Sequence, residues 1–187
     1  MQISDTPLMG LKLIEPSVFR DARGYFFESY NREILAGAGI SNLFVQDNES
    51  RSSRGVVRGL HYQLEPYAQA KLVRVVEGTV FDVAVDLRRG SPSFGKWFGT
   101  LLSGENKLQM LIPAGFAHGF SVLSPDVVFA YKCDQLYHKA SERGIRFCDP
   151  FLGIDWHLPE GEWLVSEKDL QAPLFADAEY NFNYTEQ

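Results

Sequence analysis

Sulfur is scarce in this chain. Only Cys133 and Cys148 are present, and they do not form a C-x-x-C pair. That argues against a disulfide framework or a zinc knuckle and favours a reducing, cytoplasmic setting. No stretch approaches the ~20 uninterrupted apolar residues that a membrane-spanning helix needs. The N-terminal MQISDTPLMG has no basic segment leading into a long apolar run, so no signal peptide is expected. Positive charge is also in short supply: 18 Lys and Arg against 24 Asp and Glu leave a net charge of −6. General nucleic-acid binding rests on cations that neutralise phosphates and is not expected here. A few Arg and Lys converging in a cleft could still hold a small phosphorylated ligand. Internal repeats and low-complexity tracts are missing as well.

Aromatic residues, by contrast, are plentiful, with 14 Phe and 8 Tyr among 187 residues. This favours strands over a Leu/Ala helix bundle, and the length fits one domain over 1–187 that buries its core without a staple. The stretch around Asp21–Gly24 reads as a strand, a tight turn and a second strand. Asn31 is placed to cap a short helix that Gly37 or Gly39 stops. NLFVQDNESRSSRGVVRGLHYQ reads as two strands joined by a Ser/Arg loop, and four further β-branched and aromatic runs follow, punctuated by Gly/Pro turns. Many short strands at such spacing predict a mainly β, antiparallel sandwich or barrel with a few short helices. After Asp149-Pro150 the pattern becomes irregular, with one helical turn at SEKDLQ.

His61, in RGLHYQ, poses the functional question. A regular strand over 56–63 would put Val57, Gly59, His61 and Gln63 on one face and Arg58 on the other, unless a bulge at Gly59 re-aims one of them. Three roles compete for the imidazole: a satisfied structural residue (the commonest fate of a lone histidine), a metal ligand, or a general base. PAGFAH has the spacing P-x-G-x-x-H and resembles the second motif of cupins, whose metal-binding members carry H-x-H in an earlier strand. Here that place reads HYQ, so Gln63 stands where the second histidine would be. His61 and His118 alone make a weak metal site, and none is expected. His138 and His157 lie in loop-like segments and read as surface or structural residues. A barrel interior holding His61, Lys71, Asp82, His118, Tyr131 and Asp169 is costly unless these groups satisfy one another or a ligand. Together they suit proton abstraction beside a carbonyl, with a cation for the enolate and a phenol to return the proton, and need no metal or redox cofactor. Taken singly, each residue has a plainer reading. Asp169 completes an S-x-x-D helix cap, Lys71 is an exposed lysine, Tyr131 is core, and Glu142 is a surface turn residue.

The runs FRDARGYFFESYN, FVQDNESRSSRGVVRGLHYQ, AKLVRVVEGTVFDVAVDLRRGSPSFGKW, IPAGFAHGF, YKCDQLYH, SERGIRFCDPFLGIDW and VSEKD together resemble the dTDP-4-dehydrorhamnose 3,5-epimerase family nearly end to end. The resemblance implies a cupin-type jelly-roll barrel and a dTDP-sugar substrate. It makes His61 the base, Tyr131 the acid, Asp169 the partner of the base, and Lys71 the group beside the keto oxygen. It puts Arg23, Glu28, Gln46, Asn48, Arg58, His118, Glu142 and Lys168 around the nucleotide sugar. Tyr137 is the first choice for stacking on the pyrimidine, with Phe19 and Phe26 behind it. Arg23 and Glu28 come partly from a neighbouring subunit in that family, which implies a homodimer. Cys148 stands where the family often has Asn, a change expected to alter packing more than chemistry.

Overall fold

The computed structural model describes residues 1–185. Thirteen strands and two short helices follow one another in chain order: β1 Gln2–Asp5, β2 Lys12–Glu15, β3 Val18–Asp21, β4 Gly24–Phe27, α1 Arg32–Gly37, β5 Gln46–Ser53, β6 Val57–Gln63, β7 Lys71–Glu77, β8 Thr79–Asp86, β9 Trp97–Ser103, β10 Gln109–Ile112, β11 Phe116–Val122, β12 Asp126–Cys133, β13 Glu142–Gly144 and α2 Glu167–Leu170. Two antiparallel sheets face each other, one ordered β1-β2-β10-β7-β12-β5 and the other β13-β6-β11-β8-β9. The chain passes from one sheet to the other between β7 and β8 at Gly78. There φ is +84° and a Cβ would sit 2.1 Å from the Asp126 carbonyl oxygen, so only glycine turns this corner. Strands β3 and β4 form a separate hairpin. Among the described residues no helix is long and apolar enough to cross a membrane.

Alternation along the strands sorts the side chains into three layers. Val73, Val75, Val80, Ala84, Met110, Phe116, Phe120, Val127 and Phe129 fill the space between the sheets. On the outer face of the five-stranded sheet, Val57, Leu60, Tyr62, Phe81, Val83 and Val85 pack against Ile145, Phe147, Trp156 and Phe175 of the C-terminal segment. That segment lacks periodicity because it is a cover that follows the sheet rather than an element of its own. The outer face of the six-stranded sheet packs against Leu35 of α1 and Ile40. Asn31 caps α1, its side-chain oxygen accepting from the Glu33 and Ile34 N–H groups, as its residue type predicts.

The strand carrying His61 is not regular. His118 pairs with His61 and Phe120 pairs with Arg58, so Gly119 alone on β11 opposes Gly59 and Leu60 on β6. The extra residue is a bulge. It sends Leu60 to the outer layer and returns His61 to the inner face beside Arg58, where strict alternation would have separated them. Gly59 has φ of +133°, and a Cβ there would lie 2.5 Å from the Gly119 Cα, so two backbones meet where neither carries a side chain.

Candidate active site

One end of the barrel stays open as a cavity of about 290 Å³ lined by Gln46, Asn48, His61, Gln63, Gln69, Lys71, Tyr131, Cys133, Tyr137 and Glu142, among others. Its walls are the two sheets. His61 and Gln63 come from β6, whereas Gln46, Asn48, Lys71, Tyr131 and Cys133 come from β5, β7 and β12 of the facing sheet.

His61 is partly exposed to this space, and its Nε2 lies 2.6 Å from Oδ1 of the buried Asp169, 108 residues further along the chain. Asp169 reaches it from α2. Ser166 caps that helix, its hydroxyl accepting the Asp169 N–H at 3.1 Å. The capping reading of S-x-x-D therefore holds for the backbone, while the carboxylate is turned to the imidazole. Burial works against the Asp169 charge. The hydrogen bond and charge of His61, together with the Gly59 backbone, outweigh it and hold the carboxyl below its ordinary range.

Lys71 shares the inner face with Val73 and Val75, the less common of its two readings. It is half-buried in the cavity wall, and desolvation there pulls its pKa down against the opposing pull of Cys133, Asp82 and Glu142. Tyr131 projects inward beside Phe129. Burial, aided by Cys133, pushes its phenol up despite the Arg58 charge. The Arg58 Nε donates to the Ser52 hydroxyl at 3.1 Å, crossing from one sheet to the other. His118 sits deeper, 7% exposed, with its Nε2 3.0 and 3.1 Å from the two carboxylate oxygens of fully buried Asp82. Burial raises the Asp82 pKa, and His118 offsets part of that.

At the rim, the Tyr137 hydroxyl donates to Glu142 Oε2 at 3.0 Å, and Lys168 Nζ lies 2.6 Å from the same oxygen. Burial opposes the Glu142 charge, but Lys168 and Tyr137 outweigh it and keep that carboxyl low. The Gln46 Nε2 donates to Asn48 Oδ1, and its Oε1 accepts the Tyr137 N–H. Arg23 and Glu28 are not brought to this cavity. Arg23 lies at the tip of the β3–β4 hairpin, paired with Asp21, and Glu28 at its base accepts from Asn31. The hairpin also carries the exposed Phe19, Tyr25 and Phe26, so Phe19 and Phe26 lie away from the His61 cavity while Tyr137 lines it. His157 stacks on Phe81 and His138 on Tyr67.

Sequence reasoning did not single out Cys133 as a cavity residue. Its thiol is buried and pushed up to about 11 by desolvation, Lys71 offsetting part of this, so it meets the cavity as a neutral group. Its position two residues after Tyr131 was the available signal. The pairing of His118 with Asp82 was also unassigned. It follows from the pairing of Phe120 with Asp82 on adjacent strands. Among the described residues, no three His, Cys, Asp or Glu side chains gather as metal ligands.

A jelly-roll barrel open at one end over an imidazole, an ammonium and a phenol places the chain in the cupin class, with a cavity whose groups suit proton transfer. Comparison with known proteins sharpens the class. A profile of the dTDP-4-dehydrorhamnose 3,5-epimerase family matches residues 5–177. The dTDP-4-dehydrorhamnose 3,5-epimerase of Pseudomonas aeruginosa is 59% identical over 168 residues, covering 89% of this chain and 92% of its own length. That of Shigella flexneri is 52% identical over 181 residues, covering 96% and 99%. The crystal structure of dTDP-6-deoxy-D-glucose-3,5-epimerase from Legionella pneumophila, in complex with dTDP-4-keto-L-rhamnose, matches with a TM-score of 0.89 at 53% identity and covers 92% of each chain. The chain belongs to the dTDP-4-dehydrorhamnose 3,5-epimerase family.

Proposed function

We propose that the protein binds dTDP-4-dehydro-6-deoxy-D-glucose and inverts its carbons 3 and 5, producing dTDP-4-dehydro-L-rhamnose. The observation that carries this reading is His61 on one sheet, paired with Asp169 of α2, facing Tyr131 on the other sheet across a single cavity. The C4 ketone acidifies the protons on both neighbouring carbons. The Asp169 carboxylate accepts Nε2–H and leaves the Nδ1 lone pair of His61 to take a proton. Lys71 stabilises the enolate oxygen, and its desolvated ammonium is worth more there than in water. Tyr131 returns a proton to carbon 5 from the opposite face, and opposite faces are what inversion requires. Burial raises the phenol's pKa, so it enters the reaction as the neutral, proton-bearing form.

The nucleotide end of the substrate extends to the rim. Tyr137 stacks on the pyrimidine, and Arg58, Lys168 and a partner's hairpin Arg23 supply charge-assisted hydrogen bonds to the diphosphate. Gln46, Asn48, His118, Glu142 and a partner's Glu28 complete the binding surface. The chain acts as one domain and as a homodimer. Support for the dimer comes from Arg23 and Glu28 lying outside their own chain's cavity on a hairpin with three exposed aromatic rings. The free thiols Cys133 and Cys148 fit a cytoplasmic enzyme.

The test is incubation with dTDP-4-dehydro-6-deoxy-D-glucose in D2O, followed by NMR and mass spectrometry. Deuterium at carbons 3 and 5, with the L-lyxo product trapped by a reductase, is expected. Deuterium at one carbon would instead identify a mono-epimerase feeding another deoxysugar. No exchange at all would overturn the enzymatic reading of this cavity.

A further inference from the structure

Gln63, the residue that stands where metal-binding cupins carry a second histidine, ends β6 inside the barrel and is 4% exposed. Its amide is fully used. Nε2 donates to the carbonyl oxygens of Tyr67 at 2.7 Å and Leu136 at 3.3 Å, and Oε1 accepts the His138 N–H at 2.7 Å. Two carbonyls at one end and an N–H at the other admit only one orientation of the amide. Leu136 and His138 flank Tyr137, whose own N–H is held by Gln46 Oε1 at 3.0 Å. Three consecutive residues of one rim loop are thus pinned by two glutamines, one from each sheet. The Tyr137 side chain has little packing of its own, being 53% exposed. Its ring is placed by its backbone, its bond to Glu142 and these tethers. Gln63 makes no hydrogen bond to His61, Asp169, Lys71 or Tyr131 among the described residues.

We infer that Gln63 is a positioning residue for nucleotide binding, acting through the 136–138 loop to hold the Tyr137 ring at the cavity mouth. The inference rests on Tyr137 being the stacking partner of the pyrimidine. A loop held in its bound conformation loses less freedom when the ligand arrives, and that saving appears as affinity. The polar position that would otherwise ligate a metal becomes a mechanical link between the barrel wall and the nucleotide.

The experiment is a double-mutant cycle read with dTDP alone by calorimetry and with the full sugar nucleotide by kinetics. Tyr137→Ala should weaken dTDP by on the order of tenfold, the loss expected for one base–aromatic stack. Gln63→Met, which keeps the volume and removes the tethers, should weaken dTDP and raise KM by a similar factor while leaving kcat within about twofold of wild type. The double variant should bind dTDP no more weakly than Tyr137→Ala, because both changes remove the same interaction. Wild-type dTDP affinity in Gln63→Met, a loss confined to kcat, or full additivity in the double variant would each overturn the inference. If Gln63→Met does not fold, Gln63→Glu takes its place in the same cycle, since it retains the acceptor for His138 and lacks the donors. Unchanged binding in Tyr137→Ala would overturn both the stacking reading and the tether. A normal loss in Tyr137→Ala beside an unaffected Gln63 variant would overturn the tether alone.

Discussion

His61 is set by its partner Asp169, whereas Lys71 and Tyr131 are placed by strand alternation on the inner faces of β7 and β12. Burial opposes the Asp169 charge, and the hydrogen bond and charge of His61 outweigh it and hold the carboxyl below its ordinary range. On the proposed mechanism, removing the imidazole takes away the base and leaves the rim residues in place. His61→Ala should therefore lower turnover by roughly 10²–10⁴-fold with dTDP affinity unchanged, as steady-state kinetics and calorimetry would show; wild-type turnover would sink the assignment. Tyr131→Phe keeps the ring that packs beside Phe129 and removes only the hydroxyl. It should preserve stability and substrate binding while changing the stereochemistry of the product, read by NMR. An unchanged product ratio would reduce Tyr131 to a core residue.

At the scale of elements, the β6 bulge does for His61 what no single residue could. It turns the imidazole into the barrel next to Arg58, and it depends on Gly59 and Gly119 passing close together. Gly59→Ala places a methyl against backbone at a positive φ. It should cost about 1–3 kcal/mol of stability and lower turnover beyond what the loss of folded protein explains, measured by thermal unfolding and by activity per folded molecule. The loop after β8 has its own anchor. Asp86 is fully buried and accepts hydrogen bonds from the Arg88 guanidinium and the Ser91 and Ser93 hydroxyls. Burial pushes its carboxyl up, but these donors outweigh burial and bring it below the ordinary 3.8. Because the folded pKa is the lower one, the ionised carboxylate contributes stability above 3.8, and that contribution is lost as pH falls through the folded value. Asp86→Asn should therefore be destabilised by about 3 kcal/mol at neutral pH. The gap from wild type should narrow progressively as pH is taken below 3.8, followed by urea unfolding. A gap that does not change with pH would remove the ionised carboxylate from the account.

Across the whole molecule, the β3–β4 hairpin is the part a single chain leaves unexplained. It carries Arg23 to its tip and exposes Phe19, Tyr25 and Phe26. Exposed aromatics beside a displaced site residue fit a closed two-fold dimer in which each arm completes the other copy's cavity. Arg23→Ala and His61→Ala should each be nearly inactive alone. Mixed, unfolded and refolded together, they should recover about a quarter of wild-type activity, because half of the dimers then hold one intact site out of two. No recovery, with dimers verified by sedimentation, would return Arg23 to its own chain.

Much of this could be read from the chain alone. Period-two alternation put Lys71 with Val73 and Val75 and Tyr131 with Phe129 whichever way the sheet faced, because side chains on a strand alternate by geometry. Asn31, the Asp21–Gly24 turn and the S-x-x-D start of α2 are local chemistry, settled within a few residues. What only the tertiary structure decided is long-range. Alternation could not say which face of a strand is the interior, nor whether Gly59 bulges, since that depends on Gly119 from a strand 60 residues away. It could not say that Asp169, a plausible helix cap, would turn its carboxylate to an imidazole 108 residues earlier. Nor could it say that Arg23 would lie outside the cavity formed by its own chain. Local sequence specifies backbone periodicity and caps. The meeting of polar groups across a barrel is set by how the sheets close, and that closure is a property of the whole core.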